Sequence, residues 1–268
     1  MAITPQIIVV TDLDGTLLDH DSYKYEMALD AMAWLNRLEI PLIFSSSKTA
    51  TEIISLRQEM NNNHPFVVEN GAGIYIPSKE KSDDFHNHSF GHKREFILSV
   101  LRQLREEYSF PYIGFADMDV KVLVEETGLT TDQALRAKLR EFTEPLKWFG
   151  NDRQLNEFCT EIERSGLTAV KGGRFITVSS SVNKGMAVQW LRNHYRLQLG
   201  VKPIIIALGD GENDKQMLEC SDHAVLVRSS AHELPKIDKK DLIITNEVGP
   251  EGWNNSVISL LQQYNLID

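Results

Sequence analysis

Asp12-Leu13-Asp14-Gly15-Thr16 sits directly after a β-branched run, Ile7 to Val10. Residues two apart in an extended chain point to the same side, so Asp12 and Asp14 can face one pocket. Gly15 lets the backbone turn away at that point. A second acidic segment, Gly209-Asp210-Gly211-Glu212-Asn213-Asp214, follows another apolar run, Ile204 to Ala207. If both runs are neighbouring strands, the two carboxylate clusters repel unless a cation lies between them. Aspartate oxygens select a hard ion such as Mg2+.

Two further segments supply what a phosphoryl group needs. Ser45-Ser46-Ser47-Lys48 follows the apolar run Leu42 to Phe44, and places hydroxyl donors and a cation at the same sheet edge. Lys184, at the head of an expected helix, offers a charge to neutralise phosphoryl oxygens and hold a nucleophile. Taken alone, the serines read as helix N-caps and Lys184 as a surface lysine. The aspartate segments give them a shared purpose.

The elements that must position these residues follow from periodicity. Ile7–Val10, Leu42–Phe44, Pro65–Val68, Ile204–Ala207, Ala224–Val227 and Leu242–Thr245 read as buried strands. Between them, 26–39 is amphipathic, Thr49 with Glu52 forms a capping box, and helices are expected from Lys184 to about Tyr195, near Glu212, and from Gly252 to Leu266. This alternation predicts an α/β fold with a doubly wound, mostly parallel, Rossmann-like sheet. Ligands in such sheets bind beyond the carboxyl ends of the strands, where both acidic segments fall.

From about residue 80 the alternation breaks. Lys79 to His92 is polar and reads as loop. A helix follows through Ile97, Val100, Leu101 and Leu104, then extended pieces at 112–115 and 146–149. Helices capped at Thr130 and near Asp152 follow, and then a strand from Thr168 to Ser179, turned at Gly172-Gly173. This predicts an inserted α+β cap over 81–180, with the core formed by 1–80 and 181–268. His86, His88 and His92 could ligand zinc only if they converge; their loop is polar with no cysteine nearby. Trp34, Trp148 and Trp190 lie in apolar patterns and read as core.

Composition sets outer limits. The 268 residues are 42% hydrophobic and 25% charged, an ordinary globular profile for a chain that needs no disulfide or metal staple. Cys159 and Cys220 have neither metal-ligand spacing nor the number for a disulfide framework. A net charge of −10 argues against nucleic-acid binding, while leaving room for a local basic pocket. No signal peptide and no spanning segment are evident, which predicts a soluble, cytoplasmic protein. The oligomeric state is not encoded in any feature of the sequence.

The four ordered segments, Asp12-x-Asp14-Gly15-Thr16, a hydroxyl residue after the second strand, Lys184 and Gly209-Asp210-x-x-Asn213-Asp214, together resemble the haloacid dehalogenase superfamily of phosphatases. More narrowly, Ser46-Ser47-Lys48-Thr49, Glu69-Asn70-Gly71-Ala72, Gly172-Gly173-Arg174-Phe175 and Gly249-Pro250-Glu251-Gly252-Trp253 resemble the mannosyl-3-phosphoglycerate phosphatases, which make the compatible solute mannosylglycerate. The resemblance implies Asp12 as nucleophile, Asp14 as general acid and base, and Ser46 with Lys184 on the transferring group. Mg2+ is implied on Asp12, Asp14 through its carbonyl, and Asp210, with Asp214 as a direct or outer partner. Ser47, Lys48, Arg174 and Asn213 are expected to touch a small phosphorylated sugar or glycerate substrate. Arg174 is expected to bind the glycerate carboxylate with its planar pair of donors. The alternatives are another sugar-phosphate phosphatase, a phosphomannomutase-like phosphotransferase, or a non-catalytic module on the same fold.

Overall fold

The computed structural model describes residues 6–78, 84–172 and 174–268. The chain start, the Lys79–Asp83 part of the polar stretch, and Gly173 lie outside the described residues.

The first part runs β1 (Ile7–Thr11), α1 (Leu29–Arg37), β2 (Leu42–Ser45), α2 (Ala50–Glu59), β3 (Phe66–Val68), β4 (Gly73–Pro77) and β5 (Phe85–Ser89). The second comprises α3 (Arg94–Tyr108), β6 (Tyr112–Gly114), α4 (Val120–Thr127), α5 (Thr131–Lys138), β7 (Thr143–Trp148), α6 (Asp152–Arg164), β8 (Leu167–Lys171) and β9 (Ile176–Ser180). The chain then returns through α7 (Lys184–Leu199), β10 (Ile204–Gly209), α8 (Lys215–Cys220), β11 (His223–Arg228), β12 (Ile243–Val248) and α9 (Gly249–Gln263).

Eight strands form one sheet in the order β12-β11-β10-β1-β2-β3-β4-β5. The six from β12 to β3 pair in parallel, and β4 and β5 add an antiparallel edge. β1 and β10 are adjacent, with Ile7 opposite Ile204 and Thr11 opposite Leu208, so both acidic segments leave the same edge side by side. Successive β1 side chains feed opposite layers. Ile7 and Val9 join α1 and α9, whereas Ile8 and Val10 join α7 and α8, which is why this strand is apolar throughout. The doubly wound core expected from the sequence is therefore present.

The insert builds a four-stranded antiparallel sheet in the order β6-β7-β9-β8. α3 and α6 cover one face through Ile97, Leu101, Leu104, Phe158 and Ile162. Phe115, Met118, Leu123 and Ala134 form a smaller cluster with α4 and α5. Thr130 and Gln133 cap α5 reciprocally, as Thr49 and Glu52 cap α2.

Two readings change. The polar stretch from Lys79 to His92 is not all loop, because Phe85–Ser89 is a strand of the large sheet, paired with β4. It is an edge strand exposed at four of its five residues, so it carries no burial pattern to read. α4 was not anticipated. Its three valines suit a strand, and the helix is set instead by Asp119, whose carboxylate accepts from Val122 N at 2.8 Å, and by Gly128 at its end.

No helix among the described residues is long and apolar enough to cross a membrane. His86 and His88 lie on β5, and His88 stacks on Trp190 at 5.1 Å. None of the three histidines belongs to a cluster with metal-ligand spacing among the described residues.

Candidate active site

Asp12 is the residue after β1, and its amide continues the ladder by donating to Leu208 O of β10 at 2.9 Å. The loop beyond it folds tightly, with Thr16 N and Leu18 N both donating to Leu13 O. Gly15 adopts φ +81°, and a Cβ there would lie 2.5 Å from Asp210 Oδ2. A side chain would therefore push the two acidic segments apart. Thr16 Oγ1 donates to Asp210 Oδ1 at 3.0 Å and ties them together.

Lys184 enters from the head of α7, where Asn183 Oδ1 accepts from Met186 N as the N-cap. Its ammonium is fully buried, 2.5 Å from Asp12 Oδ1 and 2.6 Å from Asp214 Oδ1. Asp214 Oδ2 accepts from the amides of Asp210 and Gly211 at 3.1 and 3.0 Å. Asp214 thus holds the lysine with one oxygen and shapes the Asp210 loop with the other. The placement of α7 depends on Gly71, at φ +96°, where a Cβ would stand 2.2 Å from Asn183 O. Asn70 Oδ1 accepts from Asn213 Nδ2 at 3.1 Å, so the Glu69–Gly71 turn braces both the lysine helix and the second acidic loop.

The third segment follows β2. Ser46 is buried, its amide donates to Val67 O, and its carbonyl accepts from Asn70 N. Lys48 reaches Asp14, with Nζ 2.7 Å from Oδ2, while Asp14 Oδ1 is buried without a hydrogen-bond partner.

The electrostatics are unbalanced. Burial pushes Asp12 well above the ordinary carboxylate range; Lys184 opposes this, and Asp214, Asp210 and Asp14 add to it. Asp210 is also raised, by burial and by Asp214. Lys184 is raised despite its burial, because Asp12 and Asp214 flank it. One lysine therefore faces more negative charge than it neutralises. Asp12, Asp210 and Asp214, all buried, bring ligand oxygens within 4.8 Å of one another. Hard oxygen donors at this spacing with a deficit of positive charge fit a divalent cation such as Mg2+.

The structure gathers Asp12, Asp14, Lys184, Asp210, Asp214, Ser46, Lys48 and Asn213, with Ser47 at the seam between core and insert. It does not bring Arg174 to the cluster. Arg174 is exposed in the β8–β9 turn, and its guanidinium donates to Glu126 O and Thr127 O at 3.2 and 2.9 Å, closing the end of α4. The paired glycines before it suggested a ligand approach, but Gly172 N closes the turn on Phe175 O.

Other contributors had no signal in the sequence. His232 Nε2 lies 3.0 Å from Asp210 Oδ2, and comes from a coil between β11 and β12 without a motif. Arg140, from the insert, donates to Ser47 O at 3.3 Å. Gly249 to Trp253, part of the narrower resemblance, opens α9, and Trp253 lies buried beneath the end of β1.

Comparison with known proteins agrees with this geometry. The family model for haloacid dehalogenase-like hydrolases matches residues 9–249. A glucosyl-3-phosphoglycerate/mannosyl-3-phosphoglycerate phosphatase of Methanococcoides burtonii is 36% identical over 270 residues, covering 97% of this chain and 99% of that protein. Among solved structures, a phosphatase of the haloalkanoate superfamily from Bacteroides thetaiotaomicron superposes with TM-score 0.69 at 16% identity, covering 99% of this chain and 97% of that one. A Thermotoga maritima protein superposes with TM-score 0.67 at 17% identity, covering 98% of each chain. The buried aspartate–lysine cluster at the carboxyl edge of a doubly wound sheet thus sits in a chain that belongs to the haloacid dehalogenase-like hydrolase family.

Proposed function

We propose that the protein is a phosphatase that hydrolyses mannosyl-3-phosphoglycerate, or its close glycosyl analogue, to the glycosylglycerate and phosphate. The observation that carries the chemistry is Lys184, buried between Asp12 and Asp214 beside Asp210. A carboxylate held by an ammonium at a strand end is an oriented nucleophile next to a cationic site for phosphoryl oxygens. The substrate class is supported by the relative from Methanococcoides burtonii.

In this reading Asp12 attacks phosphorus in line, and an Asp12 acyl phosphate forms as the bond to the leaving oxygen breaks. Asp14 gives its proton to that oxygen, then takes one from the water that attacks phosphorus of the acyl phosphate, which breaks the bond to Asp12 and releases phosphate. Lys184 and the Ser46 hydroxyl hold the phosphoryl oxygens. Asp12, Asp210 and the Asp14 carbonyl would hold Mg2+, with Asp214 fixing the loop beneath. When bound, the ion screens the anionic nucleophile from the anionic substrate and stabilises the charge of the transition state.

The test is phosphate release in the presence of Mg2+ across mannosyl- and glucosyl-3-phosphoglycerate, 3-phosphoglycerate, hexose phosphates and p-nitrophenyl phosphate. The glycosylated phosphoglycerates are expected to give the highest kcat/KM. Phosphate passed to a second sugar instead of water would identify a phosphotransferase. A preference for plain hexose phosphates would overturn the substrate assignment.

A further inference from the structure

The proposed substrate carries a second anion, the glycerate carboxylate, on the leaving group. The proton donor to that group, Asp14, marks the side on which it leaves. Lys48 Nζ sits on Asp14, and Tyr23, half exposed, lies beneath the ammonium with its ring centroid 5.5 Å away. Ser47 precedes Lys48 in the same turn, and its carbonyl is met by Arg140 from the insert. Arg140 thus meets, from the cap side, the same turn that carries Lys48 to Asp14.

Arg140 is held but not saturated. Both its hydrogen bonds, to Ser47 O at 3.3 Å and Thr143 Oγ1 at 2.9 Å, are made by Nη1. Its nearest carboxylate, Glu69, is 4.0 Å from that same nitrogen. Glu69 is already occupied, because it accepts from Glu141 N, Phe142 N and Thr143 Oγ1 at 2.7, 3.1 and 2.6 Å. Arg140 Nε is buried without a partner, and the Nε–Nη2 edge makes no hydrogen bond among the described residues. Phe115 backs the guanidinium at 5.8 Å. A buried charged donor left unpaired is costly, and the free edge of a guanidinium matches the two oxygens of a carboxylate.

We propose that Arg140 determines specificity by binding the carboxylate of the leaving group from the cap side. This rests on the phosphoglycerate reading above, and gives to Arg140 the role that the sequence suggested for Arg174. It also makes recognition depend on the cap, because the binding edge exists at the core only while residues 140–143 are docked against Glu69.

The experiment compares mannosyl-3-phosphoglycerate with its carboxamide, which keeps the shape and removes the charge. The Mg2+-loaded wild type, Arg140→Gln and Arg140→Lys are assayed on both, with thermal melts as the check on folding. The wild type should prefer the acid. Arg140→Gln should lower that preference by about tenfold or more, the scale of one lost charged contact, mainly through KM. Arg140→Lys, which keeps the charge but loses the planar edge, should fall between them. Should Arg140→Gln fail to fold, the Lys variant decides alone: wild-type preference there overturns the proposal. Equal losses on both esters, or an unchanged preference in Arg140→Gln, also overturn it. Wild type with equal rates on acid and amide removes carboxylate recognition altogether. Wild type inactive on both while active on hexose phosphates defeats the functional reading instead.

Discussion

The indole Nε1 of Trp253 donates a 2.9 Å hydrogen bond to Thr11 Oγ1, and the Thr11 hydroxyl passes its own proton to Asp12 O at 2.7 Å. Both residues are fully buried. The last helix thereby fixes the rotamer of the residue that precedes the proposed nucleophile. Trp253→Phe keeps most of the buried area but leaves the threonine oxygen short of a donor. A loss of about 1–2 kcal/mol in urea unfolding is expected from that group and the smaller ring. kcat should fall more than KM rises, since the substrate does not touch the indole. Unchanged stability and kcat would show that the contact does not position β1.

Asp12→Asn should remove turnover almost completely, because an amide forms no acyl phosphate. The fold should survive, since Lys184 keeps Asp214 as its partner at 2.6 Å. Circular dichroism and a steady-state assay check both halves. Wild type treated with beryllium fluoride and Mg2+ should carry the adduct on Asp12, and the Asn variant should not. Near-wild-type turnover in Asp12→Asn would falsify the nucleophile assignment.

How much of this site could be read beforehand depends on where the information lies. Asp12, Asp14, Asp210 and Asp214 are legible because each pair follows a continuous apolar strand, and β1 and β10 prove adjacent and parallel. Lys184 looks like any lysine at a helix start. Only the fold, through Gly71 packed on Asn183, buries it completely. Arg140 and His232 lie at no motif and reach the site by tertiary placement alone. Arg174 is the converse case: a glycine pair before an arginine suggested a ligand loop, while in this structure the guanidinium closes the end of a helix that β-branched residues had hidden.

Mg2+ should raise the melting temperature of the wild type, because a ligand that binds only the native state stabilises it by mass action. Three buried carboxylates with ligand oxygens within 4.8 Å of one another should make the effect larger than ionic strength alone provides. Asp210→Asn should lose most of this shift along with activity. Ca2+ should stabilise the fold yet inhibit, since an ion that takes more oxygens in a looser shell would not be expected to orient Asp12 for attack. Titration calorimetry and melting curves with chelator, Mg2+ and Ca2+ test these points. Full activity after exhaustive chelation would exclude the metal from the mechanism.

Asp222 offers a pH test away from the site. Its Oδ2 accepts from Arg192 Nη1 at 2.6 Å and Ile205 N at 2.8 Å, which ties α7 to the start of β10. Partial burial works to raise this carboxyl, but the Ile205 amide and Arg192 prevail and hold it below its usual range. A depressed native pKa gives stability that is complete above the unfolded value, about 3.9, and is lost as pH falls through the native one. Asp222→Asn should therefore be less stable than wild type at neutral pH, with the gap closing below about pH 4. A gap that is constant from neutral to acid pH would show that the ion pair contributes nothing there.

Glu69 links core and insert by three hydrogen bonds. It is 1% exposed with φ +49°, and its carboxylate accepts two amides and a hydroxyl from residues 141–143. Hydrogen bonds to a charged acceptor contribute about 1.5–3 kcal/mol each when buried, though not additively. Glu69→Gln keeps one oxygen but turns an amide N–H2 group toward a backbone N–H in either orientation, Glu141 N at Oε1 or Phe142 N at Oε2. A cost of about 2–4 kcal/mol is expected, at the upper end of ordinary substitutions. Loss of docking loosens residues 140–143 and with them Arg140, so KM for the phosphoglycerate should rise. Asp12, Lys184 and Asp210 are untouched, so a small carboxylate-free ester should lose much less. Hydrogen exchange at the Glu141 and Phe142 amides reads the docking directly: both should be slow in the wild type and fast in Glu69→Gln. Equal protection in the two proteins would mean that strand pairing of β7, and not Glu69, holds the seam closed.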